Sequence, residues 1–101
     1  MPTTNYKVRL LEDLKDIKYA AGYLTACYEE GLDVFLLGIR DVAEVHGGIK
    51  SLANATSLNR ENLYDMLSKE GNPRLSSLSM ILDKLGFDIE LKPKSNDSNA
   101  A

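Results

Sequence analysis

Glycine-bearing stops at Gly31, Gly47-Gly48, Gly71 and Gly86 divide the sequence into short stretches of helical period. Chain punctuated in this way folds as short helices that turn back on one another. In "DLKDIKYAAGYLTACYEEG", Leu14, Ile17, Ala20, Ala21, Leu24, Cys27 and Tyr28 recur at three- and four-residue steps and predict one apolar face. Asp13 or Asp16 supplies its cap, and Gly31 suits the left-handed position after its end. Gly22 inside it costs about 1 kcal/mol relative to alanine, which implies close packing there. In "DVFLLGIRDVAEVHGG", Asp33 is the expected cap, with Phe35, Leu36, Ile39, Val42 and Ala43 as the buried stripe. Two shorter helices, "IKSLANAT" and "RENLYDMLSKE", are joined only by "SLN". A fifth, "SSLSMILDKLG", takes Ser76 as cap and turns Leu78, Ile81, Leu82 and Leu85 inward. "FDIELK" alternates Phe87, Ile89 and Leu91 with charged residues, as a half-buried strand does, and "YKVRL" alternates more weakly as its partner. The expected fold is all-α: one five-helix domain over residues 1–92, at most two short strands, and a polar, flexible tail over 93–101.

Length and composition narrow the function. A chain of 101 residues builds one modest core. No apolar run approaches the roughly 20 residues needed to span a bilayer, and "MPTTNYKVRL" lacks a signal peptide's apolar stretch. With a single cysteine, Cys27, there is no internal disulfide, and the cytoplasm is the expected location. Cys27 lies on an apolar stripe and reads as core, while His46 at a helix end favours the C-terminal dipole. An enzyme is not expected. Glu29-Glu30 and Glu12-Asp13 are neighbours in sequence and do not converge on one helix face. No nucleophile pairs with the lone histidine, and no glycine-rich phosphate loop follows a strand. Ligands for a metal are lacking, and no cofactor is implied.

Two short helices across a three-residue turn suggest a helix-turn-helix over about residues 49–68. Its steep crossing needs a small residue where the helices pass, which Ala53 supplies, with Leu52, Leu58, Leu63 and Met66 flanking it. The usual turn glycine is replaced by Ser57, which must take the left-handed conformation unless the turn differs. In such a unit the second helix enters the major groove of double-stranded DNA, with its N-terminal residues at the base edges. Asn59 would cap that helix through the amide of Glu61 or Asn62. Arg60 can grip guanine and Glu61 can accept from cytosine, each worth on the order of 1–3 kcal/mol of discrimination. Tyr64 and Asp65 share that outward face, while Lys50 and Ser51 stand where a phosphate would pass. The bland alternatives are a solvated first turn for Arg60 and Glu61, and half-buried packing for Tyr64.

In order along the chain, "YAAGYL", "EEG", "RDVAE", "GG", "LNRENLY", "LS", "GNP", "LSSL" and "LG" resemble the addiction-module antidote proteins, small relatives of the phage-repressor helix-turn-helix group. The resemblance covers roughly residues 14 to 92. It implies a DNA-binding antitoxin encoded beside a small toxin of the ribosome-dependent ribonuclease type. By the same likeness Asn59, Arg60, Glu61 and Tyr64 take the reading-helix role. Ser57 departs from the family's turn glycine, and Asp65 stands where a basic or neutral residue is common. A stand-alone phage-type regulator, or an interaction module that has lost DNA binding, is the alternative.

Charge is distributed in a way that bears on partners. The chain carries a net −3; residues 1–46 hold five Lys or Arg against eight Asp or Glu, whereas residues 47–74 hold four against three. So few cations neutralise few phosphates, so a homodimer on two half-sites is expected, with its seam at the last helix and "FDIELK". A toxin would be met by the acidic helix pair carrying Glu12, Asp13, Asp16, Glu29, Glu30 and Asp33.

Overall fold

The computed structural model describes residues 2–95, with side chains from Tyr6 onward; most of the expected tail, residues 96–101, lies outside the described residues. The described residues form six helices: α1 (Pro2–Asp13), α2 (Ile17–Glu30), α3 (Leu32–Val45), α4 (Gly48–Thr56), α5 (Arg60–Met66) and α6 (Leu75–Lys84). The all-α class holds, but the number of helices does not, and no strand occurs among the described residues. "YKVRL" belongs to α1. Leu10, Leu11 and Leu14 continue it at three- and four-residue steps and turn toward the core, a period invisible in five residues. "FDIELK" is irregular. Phe87 packs against the core and its amide donates to the Leu82 carbonyl at 2.9 Å. Beyond it Ile89 is 50% and Leu91 91% exposed, because a lone extended segment without a partner has no ladder to join.

Helix ends follow local hydrogen bonding, and several expected boundaries move. Asp16, not Asp13, caps α2, its carboxylate accepting from the amides of Lys18 at 2.9 Å and Tyr19 at 3.4 Å. Asp33 is not the cap of α3, which already begins at Leu32; its carboxylate accepts the amide of Val34 within the first turn. Gly31 joins α2 to α3 at φ 153° and ψ 156°, not in the left-handed helical region, and it alone separates the two helices. Ser76 is not the cap of α6, which starts one residue earlier after Arg74, without a side-chain cap. α5 closes at Met66 rather than Glu70. Gly71 therefore does not end that helix; a Cβ there would collide with the Met66 carbonyl, so the requirement is for space.

α3 is the central element: α1 and α2 pack on it, it leads into α4, and α4 carries α5 and α6. Leu36, Ile39 and Val42 of α3 are fully buried, joined by Leu14, Leu63, Leu67 and Ile81 from the surrounding segments. Burial of this kind, at roughly 25 cal/mol per Å² of apolar surface, is what holds such short helices. Close approach falls at Gly38, not at Gly22. A Cβ on Gly22 would meet nothing within 4 Å, whereas one on Gly38 would sit 2.9 Å from the Cys27 sulfur. Cys27 itself is buried, as expected.

A polar stitch closes the other side of α3. The Tyr23 hydroxyl of α2 donates to Asp41 at 3.0 Å, and Lys7 of α1 meets the other carboxylate oxygen at 3.2 Å. Burial, then the neighbouring carboxylate, raises the Tyr23 phenol well above its ordinary range. No helix among the described residues is long and apolar enough to cross a membrane.

Candidate functional site

The site is built on the turn between α4 and α5. Thr56, the one buried polar side chain among the described residues, uses its hydroxyl twice: it donates to the Leu52 carbonyl at 2.7 Å and accepts the Leu58 amide at 3.2 Å. Ser57 takes the left-handed conformation, φ 62° and ψ 19°, and its amide donates to Ala53 at 2.9 Å. Among the described residues it is the only non-glycine with positive φ. The chain thus turns sharply without the glycine that such a position favours. Ala53 of α4 and Leu63 of α5 are buried, with Leu58 and Met66 partly buried against the same core.

Asn59 then caps α5. Its side-chain oxygen accepts from the amides of Glu61 at 2.7 Å and Asn62 at 3.3 Å, so both expected partners are used. With the cap satisfied locally, Arg60, Glu61, Asn62 and Asp65 are left exposed, and none has an ion pair among the described residues. Their helical spacing puts Arg60 with Tyr64 on one row and Glu61 with Asp65 on the next. The second row joins like charges, which works against an anionic partner near Asp65. Asn62 and Asp65 also border a shallow groove whose far wall is Asn72, Pro73, Arg74 and Ser77.

Tyr64 is partly exposed and also packed. It is 42% exposed, yet the Arg40 guanidinium of α3 lies over its ring, 5.0 Å from the centroid. Arg40 also reaches the Leu67 carbonyl at the C-terminal end of α5, at 3.5 Å. A cation over the ring and at the negative end of the helix dipole holds α5 against α3. Sequence reasoning missed Arg40, which is far from α5 along the chain, and missed Thr56, whose role depends on the bend at Ser57. Lys50 and Ser51 are exposed in the first turn of α4.

The acids of the acidic helix pair fall in two groups. Glu12, Asp13 and Asp16 lie where α1 leads into α2, and Glu29, Glu30 and Asp33 where α2 leads into α3. About 21 Å of helix separates these groups. Lys15 pairs with Glu12 at 3.3 Å and partly neutralises the first.

Fold and site together define an all-helical protein in which the polar first turn of a short helix is left exposed. The chain belongs to the family described as "probable addiction module antidote protein", whose model matches residues 4–93. Membership of an antidote family points to an antitoxin and to a cognate toxin as its partner. No curated protein and no solved structure matches the chain.

Proposed function

We propose that this chain is a DNA-binding antitoxin, a regulator rather than an enzyme, which neutralises a small ribonuclease-type toxin and represses its own operon. The observation that carries the DNA reading is the first turn of α5. Its cap consumes Asn59 alone, leaving Arg60 and Glu61 exposed and without an ion pair among the described residues, on a helix that Arg40 holds in place. Side chains of that kind at a helix start suit the edges of bases in a major groove. Lys50 and Ser51 would contact backbone phosphate, and Asn62, Tyr64 and Asp65 would border the read bases. In this reading α4 and α5 act as the helix-turn-helix of a phage-repressor-like domain spanning residues 1–92. The protein works as a homodimer on a two-fold operator.

Gel shift and footprinting on a fragment carrying the chain's own promoter test this. Arg60→Ala should weaken the cognate site by roughly 1–3 kcal/mol and relax preference at one base pair. Lys50→Ala should weaken all sequences alike and reduce the salt slope by about one. Footprints indistinguishable from wild type for both variants would remove α5 as the reading helix.

A second reading, an interaction module without DNA affinity, is favoured by the net −3 and by Glu61 and Asp65 on the exposed face of α5. An intact toxin complex with no salt-dependent shift would support it.

A further inference from the structure

The apolar period of α2 is wider than the core that it covers. Tyr28, expected inside, is 62% exposed, and Leu32, across Gly31, is 51% exposed. The two large apolar residues flank Gly31 at the α2–α3 corner, which local contacts tie together. The Tyr28 ring meets Phe35 edge-on at 5.4 Å and 85°, and the Gly31 amide donates to the carbonyls of both Cys27 and Tyr28. A tyrosine whose ring is already held loses little freedom when a partner covers it.

The surroundings identify the kind of partner. Glu29 and Glu30 fill the last turn of α2 and make no ion pair among the described residues. Acids at that end oppose the helix dipole, so they work against the isolated fold rather than for it. Asp33 adds a third negative group, and the chain has no Lys or Arg between Lys18 and Arg40. A second copy would bring acid against acid, and nucleic acid or an anionic lipid surface would be repelled in the same way.

We propose that the α2–α3 corner docks a cationic protein surface, with Tyr28 and Leu32 entering an apolar recess and Glu29, Glu30 and Asp33 meeting a basic rim. Resting on the antidote reading, this assigns the surface to the toxin. Leu32 lies about 12 Å along α3 from Arg40, where α5 is held, so the corner and the exposed face of α5 are separate surfaces.

The test uses the full chain and the product of the adjacent gene, co-expressed and then titrated by calorimetry as purified proteins. Leu32→Ser, alone and with Tyr28→Ser, should weaken the complex about 30-fold or more. Glu29→Lys with Glu30→Lys should weaken it to a similar degree and remove most of its salt dependence, while leaving the melting temperature unchanged or raised. Arg60→Ala should bind the toxin as wild type does. Corner variants that fold and bind like wild type would overturn this assignment and leave the antidote reading standing. Failure of the wild-type chain to bind the adjacent product would overturn both. A wild-type dimer that becomes monomeric in the Tyr28 and Leu32 variants would also overturn it, giving the corner to a second copy.

Discussion

Ser57 shows how much one residue of the turn decides. Its left-handed conformation turns the chain from α4 toward α5, and an L-residue pays for that geometry with roughly 1–2 kcal/mol. Thr56 steadies the bend by tying together the Leu52 carbonyl and the Leu58 amide. Ser57→Gly should remove most of the strain, less the greater freedom of glycine in the unfolded chain. Urea unfolding of this variant should give a stability higher by about 1 kcal/mol, with the affinity for DNA unchanged. A midpoint at or below that of wild type would mean that the serine side chain stabilises the turn. The residues of α5 were legible in sequence because a cap and an exposed first turn are local matters. Arg40 was not, because only the packing of α3 against α5 brings it to Tyr64.

Among the elements, α3 organises the others, and Asp41 joins two of them to it through Tyr23 and Lys7. The sign of the resulting pH dependence follows from the Tyr23 phenol. Its folded pKa lies above the ordinary 10, so the folded chain holds this proton more tightly than the unfolded chain. Its contribution is intact below about pH 10 and is lost as pH rises past that value toward the folded pKa. The Cys27 thiol, raised by burial above its usual 9, acts in the same direction from a lower pH. Thermal melts by circular dichroism should therefore fall from about pH 9 upward, and Tyr23→Phe should make the fall above about pH 10 shallower. Equal slopes for variant and wild type would remove Tyr23 from the alkaline limb. The sequence marked Tyr23 as neither core nor site, because its partner Asp41 is on another helix.

For the whole molecule, the proposed dimer has to use surfaces that the fold leaves uncovered. Leu75 is 71%, Met80 39% and Leu91 91% exposed, on α6 and the segment after it. Removing residues 87–101 would be a poor test, since it also takes away Phe87, which packs on the core. Leu75→Ser with Leu91→Lys leaves that packing in place. In sedimentation, wild type should run as a dimer and this variant as a monomer, with operator affinity greatly reduced in the variant. A variant that remains dimeric would move the interface away from α6.

Sequence by itself determined what depends on neighbours along the chain. Helical period, the cap at Asn59 and the breaks at Gly31 and Gly47-Gly48 are set within a few residues by local hydrogen bonding and sterics. From these came the all-α class, the α4–turn–α5 unit and its polar first turn. Only the tertiary structure decided which apolar positions are covered and which are not, since Leu24 and Tyr28 share a row of α2 but only Leu24 is buried. It also decided that α2 and α3 approach closely at Gly38 rather than at Gly22, and that "FDIELK" has no partner strand among the described residues. The physical reason is the same in each case. Burial and strand pairing are properties of what lies opposite, and the residues opposite are distant in the chain.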